Sequence, residues 1–174
     1  LMYTNVNSPF PYDPPHIPAI NPCYHYKKTF TVSEVASKKY INFEGVDSCF
    51  YLYINGAFIG YSQVSHCTHE FELTDFVRAG KNDLVVIVLK WCDGSYLEDQ
   101  DKIRLSGIFR EVYLLLREKE CIKDIEIKTY LEEDLASARV KVSLIKGSAD
   151  VKYLLVSPEN VEIAKGSITD GADS

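Results

Sequence analysis

The sequence predicts an all-β sandwich followed by the start of a second one, and three observations carry that reading. From Cys23 onward apolar residues recur with period two rather than 3.6, as on strands with one buried face. Asn-Gly, Gly, Pro, Asp and Ser punctuate these runs at short intervals. Only Thr74 to Ala79 carries helix-type termini, with Thr74 as cap and Gly80 as terminator. Short strands with turn chemistry between them and almost no helix make a β-sandwich or jelly roll.

The elements follow in order. Six of the seven prolines (Pro9, Pro11, Pro14, Pro15, Pro18 and Pro22) precede Cys23. Proline fixes φ and removes a backbone donor, so residues 1–22 read as an extended arm over the surface. The arm is either a stiff lead-in or a carrier that brings Asn5 to a partner's surface. Tyr24 to Val32 and Lys39 to Phe43 read as strands rich in aromatic and β-branched residues. Phe50 to Ile54, then Asn55-Gly56, then Ala57 to Tyr61 is a hairpin signal, because Asn-Gly accepts the positive φ values of a type I′ turn. Phe71 to Leu73 is a further strand, Leu84 to Trp91 a fully apolar and central one, and Ile108 to Arg117 a long one.

Around Lys119 the character changes. Ile122, Ile125 and Ile127 begin a new strand, and Val140, Val142 and Leu144 alternate in the next. Val151 to Val156 and Val161 to Ala164 add two more about a Ser157-Pro158-Glu159-Asn160 turn. An immunoglobulin-like sandwich needs about seven strands over roughly 100 residues. The expected organisation is therefore an arm at 1–22, a sandwich at 23–118 and a truncated sandwich at 119–174.

Composition excludes several classes. With 19 basic and 25 acidic residues the net charge is -6, and the basic residues are scattered, so no nucleic-acid groove is expected. The longest strongly apolar run, Leu84 to Leu89, fits a buried strand and not a membrane span. The N-terminus shows no signal-peptide pattern. Cys23, Cys49, Cys67, Cys92 and Cys121 lie far apart without a C-x-x-C pair, which reads as reduced, structural thiols and a cytoplasmic protein. Cys49 and Cys92 lie within or beside apolar strands, where a thiol acts as a small hydrophobe.

The chemistry-bearing stretch runs from Trp91 to Asp101. Asp93, Glu98, Asp99 and Asp101 put four carboxylates into nine residues, which repel unless cations, donors or solvent compensate them. A solvated acidic loop, a hard-cation site outside the EF-hand pattern, and a glycosidase carboxylate pair are the competing readings. Spacing on one loop does not fix a catalytic separation, and no sugar-sized cleft is legible elsewhere, so self-contained catalysis is not expected. There is no G-x-S-x-G elbow, no phosphate-cradling glycine loop and no H-E-x-x-H. His66 and His69, on an expected strand edge, would point to opposite faces and read as surface histidines.

A set of motifs goes further. Tyr3-Thr4-Asn5-Val6, Pro14-Pro15, Phe43-Glu44-Gly45-Val46, Asn55-Gly56, Gly60-Tyr61 and Ser62-Gln63 follow one another in order. After them come Phe76-Val77-Arg78-Ala79-Gly80 with Asn82, the run Trp91 to Asp101, and Ser106-Gly107-Ile108-Phe109-Arg110. From Tyr3 to about Leu116 the chain resembles the sugar-binding jelly roll of family 2 glycoside hydrolases, in the large bacterial-type β-galactosidase branch. The resemblance implies a galactose-binding-domain-like jelly roll followed by a partial immunoglobulin-like β-sandwich. It implies a parent that hydrolyses terminal β-D-galactosides with retention, through two glutamates on a later (β/α)₈ barrel. Neither glutamate is in this chain, so the fragment alone is expected to be inactive.

For single residues the resemblance implies that Asn5 and Asp101 hydrogen-bond the galactosyl hydroxyls and that Asp101 also helps hold a sodium ion. Gln63 and Asp93 would touch a structural magnesium shared with a segment upstream. Two positions depart from the pattern: Ile103 stands where many relatives carry an aromatic, and Val64 where an acidic residue often follows the glutamine. Implied partners are the galactoside, the remaining domains of the parent and further copies of it in a homo-oligomer. A stand-alone carbohydrate-binding module and a structural interaction domain are the competing classes.

Overall fold

The computed structural model describes residues 2–3, 8–33, 38–98, 103–133 and 136–169. The chain divides into two compact units, Leu1–Arg117 and Glu118–Ser174. In the first, the strands are β1 (Met2–Tyr3), β2 (Cys23–Val32), β3 (Lys38–Phe43), β4 (Val46–Asp47), β5 (Cys49–Ile54) and β6 (Ala57–Gln63). They continue as β7 (His69–Glu72), β8 (Gly80–Leu89), β9 (Ile103–Arg104), β10 (Gly107–Ile108) and β11 (Val112–Arg117).

Among the described residues, two larger antiparallel sheets, ordered β2-β8-β5-β6 and β11-β3-β7, form the body of this unit, with short ladders β1-β9 and β10-β4 beside them. The apolar run in β8 is central, as its composition predicts. Period two explains the core. Phe50, Leu52 and Ile54 of β5 and Val86 and Val88 of β8 are buried, and they pack with Ile41 and Phe43 of β3. Phe43 and Phe50 meet at 4.7 Å between ring centroids, and Phe71 lies 5.9 Å from Phe50. Each such side chain contributes about 1.5–3 kcal/mol when fully buried, so this interface, not the arm, holds the unit together. The intervening residues Tyr51 and Tyr53 emerge on the outer face.

The β5–β6 hairpin turns at Asn55 and Gly56, with φ of 52° and 84°, the type I′ geometry that the sequence predicts. Asn55 is also tied sideways. Its Oδ1 accepts from Asp83 N at 3.0 Å, and its Nδ2 donates to Phe76 O at 2.8 Å and Asn82 Oδ1 at 2.9 Å. Asn82, 1 % exposed, gathers the turn before β8 by accepting from Arg78 N and donating to Arg78 O and Gly80 O.

Two expectations are revised. Thr74 to Ala79 is a bonded turn (Phe76 N and Val77 N both donate to Leu73 O) and not a capped helix. Thr74 Oγ1 instead accepts from Lys39 N and donates to Glu72, which ties the turn to β3. Gly80, at φ 88°, does end that turn in the left-handed region. The expected strand Ile108 to Arg117 is broken into β10 and β11. Gly107 begins β10 at φ 79°, and a Cβ there would stand 2.2 Å from the Tyr26 hydroxyl.

The second unit consists of two antiparallel hairpins: β12 (Ile122–Leu131) with β13 (Ala138–Lys146), and β14 (Val151–Val156) with β15 (Glu162–Ile168). Ile125, Ile127 and Leu131 stand opposite Leu144, Val142 and Ala138 on one apolar face. At the base, Glu120 accepts from Ala149 N at 3.0 Å and Ser148 Oγ at 3.1 Å.

Candidate functional site

The acidic loop begins where β8 ends, and the arm holds that junction. Asn21 brackets the Trp91 backbone, accepting from Trp91 N at 2.9 Å and donating to Trp91 O at 2.8 Å, while Lys90 N donates to Pro22 O. The Trp91 ring is buried. It takes the edge of Phe10 at 5.0 Å and lies within cation–π reach of Lys90 and Arg104.

A proline-rich arm has few donors to offer, so it is held largely through its carbonyls. Tyr96 supplies the hydroxyl. It donates to His16 O, lies 3.4 Å from Pro11 O, and accepts from Asp13 N at 3.2 Å. Phe10 and Tyr12 meet its ring edge-on at 5.2 and 5.4 Å. The arm is therefore a docked strap over the loop.

Within the loop, Asp93–Tyr96 forms a 3-10 turn, a regular element in a stretch expected to be irregular. Ser95 N donates to Cys92 O, and Cys92 N donates to Ser95 Oγ at 3.1 Å. Arg104 Nη2 donates to Ser95 O at 3.1 Å. Glu98 is the second anchor, because its carboxylate accepts from both the backbone N and the Oγ of buried Ser65, the latter at 2.7 Å.

Of the sequence-predicted site residues, Asn5 and Asp101 lie outside the described residues. The segments that carry them are joined by a short ladder in which Met2 pairs with Arg104 and Tyr3 with Ile103. Asn5 follows Tyr3 by two residues and Asp101 precedes Ile103 by two.

Gln63 and Asp93 are described, and they flank one corner. Tyr61 Oη donates to Gln63 Oε1 at 2.9 Å, and Gln63 lies against Gly94 of the turn. Asp93 Oδ1 accepts from Gly94 N at 2.9 Å. Burial, then the hydrogen bond to Cys49 and the nearby charges including Asp93, push the Tyr61 phenol up. Among the described residues, no three His, Cys, Asp or Glu side chains gather as a metal cage. The expectation for the two histidines changes in detail: His66 stands in a turn with its ring 5.0 Å from Phe109, and His69, on β7, has Nε2 3.0 Å from Val64 O.

Behind that corner lie two thiols. All five cysteines are free, and Cys49 and Cys92 are both buried, joined through Ser48, the chain neighbour of Cys49, whose hydroxyl reaches Cys92. Both are buried as the sequence predicts, and Cys92 also has polar company, since Ser48 Oγ donates to its Sγ at 3.1 Å and Ser95 Oγ lies 3.9 Å away. The Cys49 thiol, then the two hydroxyls, hold the Cys92 thiol below its ordinary value against its burial. Cys49, which gives its hydrogen bond to Cys92 and is itself buried, is pushed up.

No described helix is long and apolar enough to cross a membrane. The first unit is a β-sandwich that carries the docked arm and the acidic loop at one rim. Residues 1–118 match the sugar binding domain of glycosyl hydrolases family 2, and the chain belongs to that family.

Among curated proteins, it is 48 % identical over 163 residues to a β-galactosidase of Actinobacillus pleuropneumoniae, which covers 92 % of this chain and 16 % of that one. It is 45 % identical over 168 residues to a β-galactosidase of Staphylococcus xylosus, covering 94 % and 17 %. The chain thus spans about a sixth of the length of these relatives. Among solved structures, a β-glycosidase from Bacteroides vulgatus matches with a TM-score of 0.66 at 27 % identity, over 83 % of this chain and 19 % of that one. Bacteroides uniformis β-glucuronidase 2 matches with a TM-score of 0.74 at 16 % identity, over 84 % and 19 %, and speaks for the fold alone.

Proposed function

We propose that this chain is the accessory sugar-facing portion of a β-galactosidase that hydrolyses terminal β-D-galactosides with retention. The glutamates that do the chemistry belong to a barrel elsewhere in the parent, and this portion does not hydrolyse substrate alone. The observation that carries the reading is the 48 % and 45 % identity to β-galactosidases over nearly the whole chain, loop included. The β-glucuronidase among the structural neighbours shares far less sequence, at 16 % identity.

The role of this portion is contact. Asn5 and Asp101 accept from or donate to galactosyl hydroxyls, a reading that the likeness to β-galactosidases over nearly the whole chain supports. A carboxylate that accepts from a fixed array of hydroxyls discriminates sugar stereochemistry, at about 1.5–3 kcal/mol for a charged hydrogen bond. Asp101 would also ligate sodium. Gln63 and Asp93 offer an amide and a carboxylate oxygen, the hard donors magnesium prefers, and further ligands must come from outside this chain. Bound there, magnesium would neutralise the Asp93 charge and brace the turn that opens the loop.

The test is a substrate comparison on the full-length parent with nitrophenyl galactoside and nitrophenyl glucuronide. Galactoside turnover with negligible glucuronide turnover is expected, and the reverse preference overturns the reading.

A stand-alone module would need a flat aromatic platform. Tyr51, Tyr53, Phe58 and Tyr61 do cluster on the outer sheet face, but their rings are tilted by 43° to 54° to one another. Titration of the isolated chain with lactose distinguishes the two, since saturable millimolar binding would favour the module.

A further inference from the structure

We propose that Cys49 and Cys92 form a peroxide-oxidisable thiol pair whose disulfide fastens the head of the acidic loop to β5. The pairing follows from the sheet. Cys49 stands opposite Leu89 of β8, Ser48 N donates to Leu89 O at 3.1 Å, and Ser48 Oγ donates to Cys92 Sγ at 3.1 Å. The three residues beyond Leu89 thus fold back over the start of β5 and bring Cys92 beside the Ser48–Cys49 step. Cys23 also stands opposite Leu89, but on the other side of β8. Two strand spacings, about 9.5 Å, separate it from Cys49, beyond the roughly 7 Å limit for a disulfide.

The surroundings assign the roles. The Ser48 and Ser95 hydroxyls face Cys92 Sγ and favour its thiolate, which is the nucleophile in thiol oxidation. Cys92 is 6 % exposed and is followed by exposed Asp93, whereas Cys49 is 1 % exposed. Cys92 therefore meets the oxidant and Cys49 closes the bond.

In the first step, the Cys92 thiolate attacks one peroxide oxygen, the O–O bond breaks, and the departing hydroxide takes a proton to leave as water. Cys92 is then a sulfenic acid. In the second, the Cys49 sulfur attacks the Cys92 sulfur, the S–O bond breaks, and hydroxide leaves as water with the Cys49 proton. Two thiols and one peroxide give one disulfide and two waters. The product covalently joins β5 to the residue that heads the Asp93–Tyr96 turn, while the hydroxyls of Ser48 and Ser95 lose a thiolate acceptor.

The test treats the native full-length protein with hydrogen peroxide, quenches it, alkylates under denaturing conditions and maps the peptides by mass spectrometry. Cys49 and Cys92 should leave the alkylated pool together, as one cross-linked peptide pair lighter by two hydrogens, with more than half of each converted. Exposed Cys23 and Cys67 serve as comparison sites. In C49S, Cys92 should stop at the sulfenic acid and be captured by a 1,3-dione. The wild-type peptide map decides alone if C49S does not fold. Retention of both thiols at peroxide doses that oxidise Cys67, or a Cys92 sulfinic acid beside an untouched Cys49, overturns the proposal.

Discussion

Replacing Glu98 by alanine tests whether the acidic loop is held from its far side. The carboxylate takes both donors of Ser65, a residue with 0 % exposure, so neither donor finds water easily once Glu98 is gone. A hydrogen bond to a charged group is worth about 1.5–3 kcal/mol. Glu98 itself is half-buried and water can enter from its side, so the two bonds together are discounted to about 2 kcal/mol, below the sum for two fully buried ones. In a unit of this size each kcal/mol lowers Tm by roughly 4 °C, which gives a fall of about 8 °C. The assay is thermal unfolding followed by circular dichroism, with hydrogen exchange at the Ser65 amide as the local readout. Glu98→Gln keeps one acceptor oxygen and should recover about half of the loss. The double variant with Ser65→Ala isolates the coupling through a mutant cycle. A Glu98→Ala protein with Tm within about 2 °C of wild type and an unchanged Ser65 amide would refute the anchoring argument.

Other expectations follow from the same geometry. In the full-length parent, Asp101→Ala should lower kcat/KM for galactosides roughly ten- to hundredfold without lowering Tm, the loss of one charged acceptor; unchanged kinetics sink that assignment. Trp91 is the single tryptophan, and Phe10 covers its edge, so Phe10→Ala should red-shift the emission and speed proteolysis of the arm. An unshifted spectrum means the arm is not docked there. Hydrogen bonds from Ala149 N, then Ser148 Oγ, hold the Glu120 carboxyl below its ordinary range. A lowered folded-state value means the contribution is present above the unfolded value and fades as pH falls through the folded one. The Ala149 amide should therefore lose protection only on acidification below the ordinary carboxylate range, and pH-independent exchange contradicts it.

Much of the fold was legible because its signals are local. Asn55-Gly56 specifies its own turn, Gly80 its own left-handed φ, and the apolar continuity of Leu84 to Leu89 its place between two neighbours. The errors lie where a distant residue competes for a local group. Thr74 looks like a helix cap until Lys39 N, from another strand, takes its hydroxyl. Glu98 looks like one more charge in an acidic loop until Ser65 claims it, and no spacing rule links positions 33 apart. The thiol pair was invisible for a related reason. Only the register of β5 against β8, with the chain turning after Leu89, brings Cys92 back to Cys49. Asn21 left a fainter trace, as an amide beside Pro22 at the foot of a donor-poor arm.

The hairpin turn has a chemical consequence as well as a geometric one. Asn followed by Gly is the pair most open to deamidation, because the unhindered Gly nitrogen can attack the Asn side-chain carbonyl and expel ammonia. That attack requires the Asn55 amide to swing toward Gly56 N. In the folded chain both ends of the amide are engaged elsewhere, by Asp83 N, Phe76 O and Asn82 Oδ1. Cyclisation must wait for those bonds to open, so the deamidation rate at Asn55 becomes a slow clock for opening of the β5–β6 edge. Once it has ticked, closure is harder. The aspartate product presents an oxygen where Nδ2 stood, facing two acceptors that can give it no hydrogen.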